Sequence, residues 1–136
     1  MAKITGLGGV FVGAKDQDAS DAWYKEKLGI NIGEYGATFF WRDDPKKDTG
    51  MSVFCHFKED SDYFKPGHNH FMLNFRVDNL EDFIAELKEK GVGTVGEMVV
   101  ESYGKFAWVM DPAGTKVELW EEGEAPEEDP GYAENS

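Results

Sequence analysis

At 136 residues the chain is long enough to bury a core of its own and too short to favour two separate domains. With 40% apolar and 14% aromatic residues it reads as globular rather than disordered, and its net charge of −13 repels phosphate backbones and anionic lipid surfaces, so neither nucleic acid nor membrane is an expected partner. No stretch approaches the ~18 apolar residues of a membrane span, the first residues lack the apolar run of a signal peptide, and a lone Cys55 suits a reducing compartment, so a cytoplasmic location is expected.

From the N-terminus, Val10, Val12 and Ala14 alternate with Gly9, Phe11 and Gly13, the period-2 pattern of a strand with one face on a core. Asp18, three residues before Asp21, is placed to cap a short helix through Ala19, Ala22, Trp23 and Leu28, and Gly29 closes it as a left-handed cap. An extended piece near Ile30 to Glu34 follows, then a strand at Thr38 to Arg42, a polar loop through Asp43-Asp44-Pro45, and a strand from Met51 to Phe57. In that last strand Cys55 alternates with Met51, Val53 and Phe57 on the apolar side, which makes it a core thiol rather than a nucleophile.

The second half repeats this order. A strand carries Leu73, Phe75 and Val77 on one face, Asn79 caps a helix whose stripe is Leu80, Phe83, Ile84 and Leu87, and Gly91 ends it as Gly29 ended the first. Asp111-Pro112-Ala113-Gly114-Thr115 is a tight turn. It sets Met110 opposite Lys116, Trp108 opposite Glu118 and Phe106 opposite Trp120 on one side of a hairpin; Ala107, Val109, Val117 and Leu119 share the other side, which suits packing under a helix. Glu121, Glu122, Glu124, Glu127, Glu128, Asp129 and Glu134 make the last sixteen residues an acidic stretch without Lys or Arg, expected to be a solvated, mobile tail over residues 123–136; an acidic docking arm is the alternative.

The stretch DPAGTKVELWEE resembles the C-terminal hairpin of the vicinal oxygen chelate superfamily, which includes glyoxalase I, fosfomycin and bleomycin resistance proteins and extradiol dioxygenases. AWYKEKLGI and FRVDNLEDFIAELKEKGV resemble its first helix and its second strand-helix pair, and the likeness runs from about residue 4 to 122. The resemblance implies an α+β fold of two βαβββ modules, about 4–60 and 68–122 within a domain spanning 1–122, whose mixed sheet curls around a pocket, and a homodimer.

In metal-using members of such a family four strands each supply one ligand to a divalent ion that acts as a Lewis acid. Carried across, Glu118 in VELW matches the last position, but the first falls on Gly9 and the third on Met72, neither suited to the ion, and the second on His56 or Phe54. At most two ligands survive, so no cofactor is expected; one divalent metal held by Glu118, His56 and His70 or a partner chain is the alternative. Glu118 and His56 are the candidate catalytic groups, Glu118 as a base if the surrounding rings desolvate it. His68 and His70 read as loop histidines at a strand entrance.

Phe11, Phe54, Met72, Asn74, Arg76, Phe106, Trp108 and Trp120 form the candidate ligand-binding face, with Arg76 serving either a ligand anion or an ion pair with Glu118 or another acid. Such a face would take a planar or cationic small molecule, and Tyr63-Phe64 could cover its mouth. The expected function is small-molecule binding, by sequestration or with an unassigned reaction; the alternative is a divalent-metal lyase or isomerase of the glyoxalase I type using Glu118.

Overall fold

The computed structural model describes residues 2–123; the expected acidic tail lies, from residue 124 on, outside the described residues. Two ten-residue helices, α1 (Gln17–Glu26) and α2 (Leu80–Glu89), accompany four strands, β1 (Leu73–Arg76), β2 (Val99–Glu101), β3 (Gly104–Met110) and β4 (Lys116–Glu122). The strands form one open, mixed sheet in the order β1-β4-β3-β2, with β1 parallel to β4 and the other pairs antiparallel. The class is α+β, and residues 73–122 build a complete βαβββ unit.

The hairpin pairs as the turn demands: Met110 with Lys116, Trp108 with Glu118, Phe106 with Trp120. Asp111 fixes the turn, its side chain accepting the backbone N–H groups of Ala113 and Thr115. One face of the sheet carries Ala107, Val109, Val117 and Leu119, all fully buried against Leu80 and Leu87 of α2 and against Leu28 just beyond α1. Phe83 and Ile84 complete the stripe at the edge of this core.

The helix ends explain why the chain turns where it does. Asn79 accepts the N–H of Asp82 at the start of α2, and the free N–H of Leu80 is held by Glu121 from β4 at 2.9 Å. At α1 the cap is Asp16, which accepts the N–H of Ala19; Asp18 lies within the first turn, where its charge meets the positive end of the helix instead. Gly29 and Gly91 both take positive φ after their helices. Lys27 and Lys90, the residues that end the two helices, each donate to the other's carbonyl oxygen, at 2.9 and 3.4 Å, so the internal repeat of the sequence is visible as a reciprocal clasp.

The first half departs from expectation. Residues 9–14, 38–42 and 51–57 form no ladder with any described segment, and Trp41–Asp43 is a short 3₁₀ turn. Alternation specifies which side chains would share a face, but a strand also needs a neighbour to receive its backbone groups, and the four-stranded sheet ends at β1 and β2 without reaching these segments. Cys55 accordingly is exposed rather than a core thiol. No described helix is long and apolar enough to cross a membrane.

Truncating the central strand tests where the stability resides. Leu119→Ala is expected to cost about 2–5 kcal/mol in chemical denaturation, and Asn79→Ala about 1 kcal/mol.

Candidate functional site

The face of the sheet opposite the helices carries Asn74 and Arg76 from β1, Lys116, Glu118 and Trp120 from β4, and Phe106 and Trp108 from β3, because alternate residues of paired strands point the same way. Glu118 sits at its centre on β4, flanked by Asn74 on one side and Trp108 on the other. Only 7% of it is exposed.

A carboxylate this deep needs donors, and it has three. Asn74 Nδ2 donates to Oε1 at 2.7 Å, while Trp108 Nε1 and the Tyr63 hydroxyl each donate to Oε2 at 2.8 Å. Lys116 lies one alternate position away; its Nζ donates to the Tyr63 carbonyl at 2.6 Å and stands 4.9 and 5.3 Å from the ring centroids of Tyr63 and Trp108. Burial pushes the Lys116 ammonium below the usual lysine range, against the opposing pull of Glu118. Burial, reinforced by the bond to Glu118, pushes the Tyr63 phenol well above the usual phenol range.

The aromatic wall continues along the sheet. Phe106 and Trp120 are stacked with planes 3° apart and centroids 6.2 Å apart, and Tyr63 meets Trp108 edge to face at 85° and 6.3 Å. Gly104 is required here: it takes φ of 150°, and a Cβ would lie 2.6 Å from Trp120 Nε1. That indole nitrogen is buried with no hydrogen-bond partner among the described residues.

Arg76 takes the second of its two expected roles, though not with Glu118. Its guanidinium bonds Glu122 at 3.0 Å and Asp44 from the 43–50 turn, and Lys46 reaches Glu122 at 3.6 Å. Arg76 and Asp44 are each about a third exposed, so that pair adds little to stability, whereas the Glu122 side chain is buried and is matched by both cations; together the pairs hold the turn against the edge of the sheet.

Other expected members of the site are not brought together. Phe11 is 97% exposed and Phe54 77%, both on segments without a strand partner. His56 is exposed, its ring 5.1 Å from that of Phe54, and among the described residues no hydrogen bond joins it to Glu118. Met72 is half-buried, one residue ahead of β1. His70 is exposed, and His68 rests against Gly114 in the hairpin turn. Lys116 was missed: the same register that placed Glu118 and Trp120 on this face places it there too.

A divalent ion does not fit these groups. Both Glu118 oxygens are engaged by neutral donors, the nearest charged neighbour on the face is a cation, and no group of three His, Cys, Asp or Glu among the described residues converges as a ligand set.

The two perturbed phenols give a test. Tyr24, whose hydroxyl donates to Asp111 at 2.8 Å, is raised in the same way, by burial first and then by Asp111. Protons held more tightly in the folded chain stabilise it fully below the ordinary phenol value of 10.0 and progressively less as pH rises past it. Lys116 runs the other way, its penalty being relieved with rising pH. Tyrosinate absorbance should show a late-titrating class that Tyr63→Phe reduces, and denaturation midpoints should fall above pH 10.

The fold has relatives. No curated protein matches the chain. Among solved structures it is similar to TnmS3, an antibiotic binding protein from Streptomyces sp. CB03234, at 22% identity over 90% of this chain and 100% of that one, with a TM-score of 0.58. An integron cassette protein from the mobile metagenome of V. cholerae gives 17% identity, coverage of 89% and 98%, and a TM-score of 0.58. UcmS2 gives 18%, 88% and 98%, and 0.51. At such identities the likeness speaks for the fold alone. The sequence pattern of the Glyoxalase/Bleomycin resistance protein/Dioxygenase superfamily matches residues 6–119, most of the chain, and the chain belongs to that superfamily.

Proposed function

We infer that this protein binds a small, planar organic molecule on the Glu118 face of its sheet and does so without gripping a divalent ion there. The observation that carries the reading is the Glu118 carboxylate, buried among rings and bonded by Tyr63, Asn74 and Trp108. A few polar groups set in an aromatic wall are the general character of a small-molecule site. The antibiotic binding described for TnmS3 supports the same class of role on the same fold. Lys116 narrows the ligand: an ammonium already lying beside the Tyr63 and Trp108 rings disfavours a second cation, so a neutral planar molecule suits the face better than a cationic one.

Elemental analysis of the purified protein, joined to tryptophan-fluorescence titration with planar aromatic compounds, tests this. The expected result is no stoichiometric metal, and binding that Trp108→Ala weakens by about 0.5–1.5 kcal/mol. One tightly held transition metal, lost in Glu118→Gln together with turnover, would overturn it in favour of a metal-dependent lyase or isomerase.

The same reading places the site in a homodimer. Ile4, Val10, Phe11, Val53 and Phe54 are exposed on segments that find no sheet partner within the described chain, and a second copy offers both apolar cover and backbone partners. Sedimentation should give a dimer that Phe11→Asp dissociates; a monomer at all concentrations would remove this part of the proposal.

A further inference from the structure

Tyr63 occupies the site face in the manner of a ligand. Its hydroxyl donates to Glu118 Oε2 at 2.8 Å, its ring sets its edge against Trp108 at 6.3 Å between centroids, and Lys116 Nζ lies 4.9 Å from that ring. The Phe57 ring lies tilted beside it, at 5.2 Å between centroids. A free aromatic ring bearing one hydroxyl could make every one of these contacts. Only the bond from Lys116 to the Tyr63 carbonyl needs the peptide chain.

The two sides of the contact differ in how firmly they are built. Glu118 and Lys116 stand on the central strand among buried neighbours, whereas Tyr63 belongs to a loop outside the sheet and keeps 39% of its surface exposed. Exchange therefore requires movement of the loop and leaves the receiving groups in place. The receiving groups also define what may enter. The Glu118 carboxylate needs a hydroxyl donor, which an ionised aromatic acid does not offer; the opposite charges of Glu118 and Lys116 offset one another across the face and favour a neutral ring over either ion; and an aliphatic alcohol forfeits the contacts with Trp108 and Phe57. What remains is a neutral ring with a hydroxyl donor.

We propose that Tyr63 is a built-in surrogate for the ligand, and that the site takes a neutral hydroxyaryl group, free or as part of a larger planar molecule, which displaces the Tyr63 side chain and takes over its hydrogen bond to Glu118. This rests on the reading of the Glu118 face as a small-molecule site, and it adds the class of ligand and the manner of entry. Apparent affinity is lowered by the fraction of molecules in which Tyr63 fills the site, so loosening Tyr63 raises it.

The experiment titrates p-cresol, the tyrosine side chain as a free molecule, into the full-length protein, with toluene as the ring lacking the hydroxyl; the Trp108 indole N–H resonance reports occupancy. Removing the Tyr63 hydroxyl sacrifices a hydrogen bond to a charged acceptor, and p-cresol should bind Tyr63→Phe roughly tenfold or more tighter than the wild type. Tyr63→Ala should bind it at least as well as Tyr63→Phe, toluene should gain far less, and Glu118→Gln in the Tyr63→Ala background should lower the p-cresol affinity by more than that of toluene. Equal p-cresol affinity in wild type and Tyr63→Phe, or toluene binding as tightly as p-cresol, would overturn the hydroxyaryl proposal while the small-molecule reading stands. Folded Tyr63→Ala protein that binds neither compound at Trp108 would overturn both.

Discussion

The pairing of β3 with β4 is the constraint on which the rest of the molecule depends. It is the longest ladder in the sheet, it is pinned by the Asp111 side chain in the turn, and it commits residues 104–110 and 116–122 to one of two faces. Ala107, Val109, Val117 and Leu119 go to the helices, while Phe106, Trp108, Lys116, Glu118 and Trp120 go to the opposite side. A slip of one residue would send Glu118 into the apolar core and Leu119 to the site face, so hydrophobic burial and the chemistry of the site enforce the same register.

Much of this was legible in the sequence because it is local. A five-residue turn with its Pro, Gly and Asp fixes a register, and a register fixes faces. The stripe of Leu80, Phe83, Ile84 and Leu87, the Asn79 cap and Gly91 belong to the same class of short-range signal. Residues 9–14 and 51–57 show the limit of such signals: Val10 and Val12, like Val53 and Phe57, alternate as strand residues do, yet alternation says nothing about where a partner strand will come from, and no described segment supplies one.

The site itself was half legible. Glu118, Trp108 and Asn74 follow from register, and the absence of imidazoles at Gly9 and Met72 follows from inspection of the expected ligand positions. The role of Tyr63 does not, because its bond to Glu118 spans 55 residues and depends on the path of a loop, which no periodicity encodes. Arg76 illustrates the same point: an acid partner was foreseeable, but the choice of Asp44 and Glu122 over Glu118 depends on how the 43–50 turn folds back onto the sheet edge. Cys55 was misplaced for the opposite reason, an apparent local pattern unsupported by any tertiary neighbour.

The consecutive burial of residues 116 to 120 has a further effect on how such a protein can change. Substitutions at Lys116 or Glu118 disturb a strand whose alternate residues are Val117 and Leu119, so altered recognition there comes with a weakened core. Tyr63 alternates with no core residue: it lies outside the sheet and is joined to it through its hydroxyl, its carbonyl and the edge of its ring. New ligand preferences are thus most cheaply acquired by rewriting the loop, with the scaffold left untouched.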